Sequence, residues 1–195
     1  MKKTLLFLCL LFFVSQLHSQ NIMLQNAERE LYSLMNVMFS SKDDNERFNA
    51  NEKFINILDN VLEYPNSFDY PFNSLDKISI LASSDKRFKI FTWAVFSNEG
   101  VYDNFGMIQA RNENTEEYEI YRLYDRSEEV FSPEEAKLAD TSWFGAVYFD
   151  LITTKNENIT YYTLLGWDGK DIYSKRKIIE PITFKRNSGR PSFGA

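Results

Sequence analysis

Cysteine and histidine are nearly absent from this 195-residue chain, which contains one of each, both within the first 20 residues. That stretch, MKKTLLFLCLLFFVSQLHSQ, places Lys2 and Lys3 before an apolar segment from Leu5 to Val14 and ends in a polar exit. This order is typical of a secretory signal peptide, and the apolar segment is too short to span a bilayer. We therefore expect cleavage near residues 19–21 and export to the periplasm or the extracellular space.

Loss of Cys9 and His18 with the signal peptide would exclude several classes of chemistry. A chain without thiol or imidazole forms no disulfide, binds no zinc through Cys or His, and runs no Ser-His or Cys-His mechanism. We therefore expect no cofactor and no metal site. Further apolar residues from Leu10 to Val14 follow Cys9, so we do not interpret it as the lipidated first residue of a lipoprotein.

The charge balance argues against two classes of partner. Of the 22 basic residues two lie in the signal peptide, which has none of the 28 acidic residues, so the remaining chain has a net charge of −8. A negative chain is a poor default partner for nucleic acid or anionic lipid. No second apolar run long enough for a membrane span follows, and we expect residues 21–195 to form a single domain.

Residues 21–64 contain no glycine or proline, and their apolar residues recur at helical spacing. The two stripes are Leu24, Ala27, Leu31, Leu34, Met35 and Met38, and then Phe48, Ile55, Leu58 and Leu62. The polar stretch 40–45 separates them, and Asp43 and Asp44 are suited to begin the second helix. The segment therefore predicts a helical hairpin that ends before Pro65.

From Lys86 onward β-branched and aromatic residues dominate, and all seven glycines lie at or after Gly100. The predicted strands are Phe88 to Phe96, Val101 to Arg111, Tyr118 to Asp125, Phe144 to Thr153, Ile159 to Gly166 and Ile172 to Phe184. Short connections favour antiparallel pairing. Ser132-Pro133-Glu134-Glu135 predicts a short helix to about Ala139. The predicted fold is α+β, an N-terminal helical hairpin packed on an antiparallel meander of about six strands.

Trp143, Trp167 and Asp168 are weak candidates for a binding site, whereas the remaining tryptophan is not. Trp93 lies in the middle of a predicted strand and is expected in the core. Trp143 and Trp167 flank predicted turns, where a ring is half exposed, so we keep both as binding candidates together with Asp168. The Trp167-Asp168 pair matches the propeller signature, but no period near 40 residues accompanies it. We interpret Asp168-Gly169 as the positive-φ pair of a tight hairpin.

The charged clusters have simpler explanations. Acidic pairs such as Glu128-Glu129 lack the spacing of a calcium loop, and a glycosidase pair is defined by a distance in space that a sequence does not display. One interpretation of the basic stretch from Lys170 to Arg190 is that it binds a polyanion such as an envelope polysaccharide. Clustered lysines more often protect an exposed sheet edge, here the strand that ends at Phe184. Asn158 begins a glycosylation sequon, which we attribute to the turn alone.

Three segments, FKIFTWAVFSNEGVYDNFGMIQ (88–109), TYYTLLGWDGKD (160–171) and KIIEPITF (177–184), resemble an uncharacterised family of exported proteins from Bacteroidetes. The resemblance covers about half of the chain. It implies a β-rich body and a Gram-negative envelope location, and it assigns no catalytic residue. Members of that family continue beyond the Gly-Arg-Pro-Ser-Phe-Gly stretch, so the resemblance also implies that this chain is a shortened copy.

Two function hypotheses remain. The first is a non-catalytic envelope or secreted module that binds a protein or glycan partner. The second is a carboxylate-dependent glycan hydrolase, the enzyme class least affected by the lack of His and Cys. Convergence of two carboxylates in a cleft separates the two hypotheses.

Overall fold

The computed structural model describes residues 2–64, 66–157, 159–169, 171–186 and 188–194, with side chains from residue 21 onward. The side chains of the expected signal peptide, including Cys9 and His18, lie outside the described residues, as do Asn158 of the sequon and Lys170 of the basic stretch. No helix in the described part combines the length and the apolar character that a membrane crossing requires.

Two helices begin the chain, α1 from Lys2 to Ser40 and α2 from Asp44 to Leu62. Asp43 caps α2 as expected, since its side chain accepts a hydrogen bond from the Glu46 backbone N–H at 3.2 Å. The first stripe is confirmed, with Leu24, Leu31, Met35 and Met38 buried and Ala27 and Leu34 packed against them. The second stripe is also confirmed, with Leu58 and Leu62 buried and Phe48 and Ile55 packed against the same core. The prediction did not include Phe54, which is fully buried.

In the part of the chain that the structure describes, nine strands follow, in two antiparallel sheets. The first sheet has the order β1-β2-β3-β4, with β1 Ser79–Ala82, β2 Phe88–Phe96, β3 Tyr102–Arg111 and β4 Tyr118–Tyr124. The second has the order β5-β9-β8-β7-β6, with β5 Lys137–Ala139, β6 Val147–Asn156, β7 Ile159–Asp168, β8 Arg176–Phe184 and β9 Pro191–Gly194. The α+β prediction is confirmed, and all six predicted strands are present.

The elements form three layers, because the first sheet is apolar on both faces. One face of β2, with Phe91, Trp93 and Val95, packs against the two helices. The alternate residues Phe88 and Ile90 face the second sheet. Side chains of successive strand residues point to opposite faces, so the near-continuous apolar run of β2 is what a strand in the middle layer requires.

Three short strands, β1, β5 and β9, were not predicted, and the helix expected to reach Ala139 is absent. Lys137–Ala139 instead pairs with β9, and the residues from Ser132 to Ala136 form turns. The N-cap pattern is present in the sequence, but the backbone groups of Lys137–Ala139 complete the second sheet. A helix over these three residues would leave the backbone groups of β9 unpaired.

Two further expectations are wrong. Asp168 ends β7 and neither it nor Gly169 has a positive φ, so the pair makes no tight hairpin, and residues 169–175 connect β7 to β8. The strand that ends at Phe184 is not at the edge of its sheet, because β8 pairs with β7 on one side and with β9 on the other. Pro191 is tolerated in β9 because it is the first residue of that strand.

Candidate functional site

Trp143 is not a surface residue. Its side chain is 0 % exposed, and its indole Nε1 donates a hydrogen bond to the Tyr148 hydroxyl at 2.7 Å. The backbone of Trp143 forms a β-bridge with Asp125 at the end of β4, and the ring lies between the two sheets. The expectation of a half-exposed ring was therefore wrong, and we remove Trp143 from the binding candidates.

Trp167 is half-buried, as expected, and lies beside an aromatic neighbour. Its ring packs edge-on against Tyr102 of β3, with centroids 5.2 Å apart. Tyr102 in turn contacts Phe96 at 4.6 Å between centroids. Trp93, by contrast, is buried as expected and donates its indole N–H to Asn51 at 2.7 Å. Of the three tryptophans in the chain, Trp167 is the one that keeps a partly accessible ring.

Asp168 lies in a polar network between the ends of the two sheets. The side-chain amide of Asn104 donates from one nitrogen atom to Asp125 Oδ2 at 3.1 Å and to Asp168 Oδ1 at 3.3 Å. Asn104 and Asp168 are 5 % and 3 % exposed. The two carboxylate oxygens are separated by no more than the sum of these distances. The structure therefore brings together two carboxylates that lie more than forty residues apart in the sequence.

Asp125 is held by the backbone as well as by Asn104. Its Oδ1 atom accepts hydrogen bonds from the backbone N–H groups of Ser127 at 2.9 Å and Gly145 at 3.1 Å. A Cβ atom at Gly145 would overlap the Asp125 carboxyl group, so the close approach requires glycine there. These contacts fix the carboxylate at the point where β4 ends and the loop towards β6 passes.

Arg176, the first residue of β8, completes the network. Its guanidinium lies 3.8 Å from Asp168 Oδ2 and 5.4 Å from the ring centre of Phe144. About two-fifths of its side chain is exposed, so a ligand can reach it without displacing the protein. The guanidinium therefore compensates the buried negative charge of Asp168 and also presents donors to solvent.

The four residues of this network and Tyr102, but not Trp167, line a groove of about 1130 Å³ between the ends of β3, β4, β7 and β8. Its wall also contains Asp103 and the loop from Arg126 to Phe131. Asp103 is exposed as a residue, but partial desolvation of its carboxyl group raises its pKa, and the nearby charge of Asp125 raises it further. The groove thus combines aromatic rings, a cation and several acceptors, a mixture suited to a polar ligand with hydroxyl groups.

Both carboxylates of the network already accept hydrogen bonds from the protein itself. The distance between them is compatible with a glycosidase pair, whose carboxyl groups are roughly 5 to 10 Å apart. A general acid and base, however, must face the substrate, whereas Asp168 is buried beneath Asn104 and Arg176. The arrangement favours a structural role that shapes the groove over a direct role in bond cleavage.

Glu180 and Lys89 are among the ionisable side chains buried outside the groove, and burial shifts the pKa of both. Glu180 of β8 is 6 % exposed between the sheets, where burial raises its pKa to about 7 while a hydrogen bond from the Tyr148 hydroxyl partly opposes this. Lys89 of β2 lies on the helix side, where burial lowers its pKa to about 8. Its ammonium donates to the Tyr70 carbonyl at 2.9 Å and lies over the ring of Phe68.

The groove residues Tyr102, Asn104, Asp125 and Arg176 were not predicted from the sequence as a set. A partial signal exists for Asn104, because strand alternation places it on the same face as Ile108 and Ala110, which are both buried. A polar residue at such a position needs partners inside the protein. The partners themselves come from other strands, and nothing in the local sequence indicates them.

In the described ranges no group of three or more His, Cys, Asp or Glu side chains is placed to hold a metal ion. Comparison of the chain with protein-family models, with curated proteins and with solved structures gives no match. Its function is therefore argued from its own residues.

Proposed function

We propose that the protein is an exported, non-catalytic binding module of the cell envelope or of the secreted fraction, and that the groove described above binds a glycan. The observation that carries the proposal is the groove itself, in which Tyr102 lies next to the network of Asp125, Asn104, Asp168 and Arg176. Trp167 packs against Tyr102 but is not part of the groove lining. Planar polar side chains beside aromatic rings are the groups that match the hydroxyls and the apolar faces of sugars.

The geometry supports binding more than catalysis. A ligand site needs polar groups held in place before the ligand arrives, because ordering them on binding costs free energy. Asp125 meets this requirement through its backbone contacts, and Asn104 through its two carboxylate partners. Arg176 is accessible to a ligand, since about two-fifths of its side chain is exposed.

Export and a Gram-negative envelope location are part of the same proposal. The signal-peptide pattern of residues 1–20 supports export, and the resemblance to an exported Bacteroidetes family supports the envelope. The absence of Cys and His after residue 18 is compatible with an extracytoplasmic protein that uses no thiol chemistry.

Calorimetric titration with neutral and uronic-acid-containing oligosaccharides tests the groove. We expect Arg176→Ala and Tyr102→Ala each to weaken binding by at least about tenfold, because both residues line the groove, whereas Tyr173→Ala leaves it unchanged. Tyr173 is a suitable control because it is an aromatic residue, 90 % exposed and outside the groove. Equal losses in all three variants, or tight binding that survives both groove substitutions, would contradict the assignment.

A carboxylate-dependent glycan hydrolase is the second candidate function. The convergence of Asp125 and Asp168 on Asn104 is the observation that favours it. A reducing-end assay on the same oligosaccharides separates the two functions. Release of sugar by the wild-type protein that is lost in Asp125→Asn with folding intact would establish the hydrolase, and binding without release supports the module.

A further inference from the structure

The outward face of the second sheet is apolar although it is exposed. Strands β6, β7 and β8 turn one face towards the first sheet and the other towards solvent. Ile179 is 76 % exposed and Ile159 is 57 % exposed, and Phe149, Ile152 and Tyr161 are also exposed. Antiparallel sheets normally place polar residues on a solvated face, so a face of this composition indicates a contact surface.

The strand register defines the rows of this face. From one end to the other they are Val147–Trp167–Lys177, Asp150–Leu165–Ile179, Ile152–Thr163–Pro181, Thr154–Tyr161 and Asn156–Ile159. We call these positions the outer face. Among them only Asp150 and Lys177 are charged, whereas charged residues make up 26 % of the whole chain. The low charge favours packing against another neutral sheet over binding to an anionic surface.

The two charges lie on opposite sides of β7 in neighbouring rows. Asp150 is on β6 and Lys177 is on β8, so the sheet separates them by about 10 Å, too far for an ion pair within one copy. A two-fold axis that runs along β7 between two facing copies would place β6 of one copy opposite β8 of the other. Each Asp150 then approaches Lys177 of the second copy, and the pair forms twice.

We infer that the outer face binds a second copy of this chain, and that the two sheets pack face to face about a two-fold axis along β7. Three strands about 4.8 Å apart and ten residues long at about 3.3 Å per residue give a footprint of roughly 500 Å² per copy. A stable interface covers about 800 Å² per partner. The dimer is therefore a weak one, which forms at high micromolar protein concentration.

Sedimentation velocity over about 10 to 500 μM protein tests this dimer. We expect a concentration-dependent monomer–dimer equilibrium that Ile179→Asp weakens by more than about tenfold, because it places a charge within the apolar contact. Phe131→Asp is the matched control, since Phe131 is 99 % exposed and lies outside the outer face. A protein that stays monomeric at the highest concentration overturns the inference, as does a dimer that Ile179→Asp leaves intact.

Charge exchange tests the two-fold arrangement independently. Asp150→Lys and Lys177→Asp should each weaken the dimer roughly five- to tenfold, because each creates two like-charge contacts, and the double exchange should restore the wild-type value within about threefold. Failure of the double exchange to restore association overturns the arrangement. Circular dichroism of each variant shows that folding is retained. Binding of oligosaccharide to the groove is measured separately, so either proposal can fail alone.

Discussion

Glu180 makes the stability of the protein depend on pH near neutrality. Its pKa in the folded protein is about 7, against an ordinary value of 4.5, because the carboxyl group is buried between the sheets. Below pH 4.5 the carboxyl group is protonated in both the folded and the unfolded chain, so its ionisation does not lower the stability. As the pH rises towards 7 the unfolded chain loses this proton first, which favours unfolding.

The size of the effect follows from the difference between the two pKa values. At about 1.4 kcal/mol per pKa unit, the free energy of unfolding should fall by about 3 kcal/mol between pH 4.5 and 7 and then level off. Glu180→Gln replaces the titratable carboxyl group with an amide of nearly the same shape. The decrease in the free energy of unfolding with pH should therefore disappear in this variant. The glutamine brings an unpartnered buried donor that costs free energy at every pH, so the diagnostic quantity is the change with pH.

Urea unfolding of the wild-type protein and of Glu180→Gln at several pH values between 5 and 7.5 measures this difference. The series ends at pH 7.5 because the pKa of Lys89 is lowered to about 8, so this side chain titrates at higher pH. Glu135→Gln serves as a control, since Glu135 is exposed. A difference between wild type and Glu180→Gln that stays constant within about 0.5 kcal/mol over this range would refute the reasoning.

Four further outcomes are expected. Tyr148→Phe should enlarge the fall in stability and move the pH at which it levels off to a higher value, because it removes the hydrogen bond that lowers the pKa of Glu180, and the same pH series measures this. Trp143→Ala should cost about 3 to 5 kcal/mol in urea unfolding, whereas Trp167→Ala should cost clearly less, since only Trp143 is fully buried. Gly145→Ala should destabilise the protein by about 1 to 3 kcal/mol, because the added methyl group overlaps the Asp125 carboxylate; unchanged stability in a urea melt would contradict that contact. N-terminal sequencing of the protein from an envelope fraction should begin near residues 19–21, and retention of Met1 would disprove cleavage.

The main elements of the fold were predictable because their signals are local. Helical spacing of apolar residues and a capping aspartate define α2, and the apolar run of β2 predicts a buried strand with Trp93 at its centre. The short strands β1, β5 and β9 carry no such signal. They have three or four residues each, and they are strands because a neighbouring strand offers free backbone groups.

The position of Trp143 shows where local reasoning fails. The three residues before it, Asp140–Ser142, are polar and form a single helical turn, which is typical of a surface loop. Its burial depends on the bridge to Asp125 and on the space that remains between two sheets, with Tyr148 as the hydrogen-bond acceptor. Both depend on how the sheets stack, and the residues around Trp143 contain no information about that stacking.

The groove also depends on how the two sheets stack, but two polar residues of the strands indicate this stacking in the sequence. Asn104 and Glu180 are polar residues at positions where alternation demands an inward side chain, and both are buried with hydrogen-bond partners from another element. Burial of such groups is costly unless partners are supplied, so they indicate that a partner from a distant segment must exist. For Asn104 that partner pair is Asp125 and Asp168, which is why an inward asparagine in β3 points more directly to the groove than either carboxylate does.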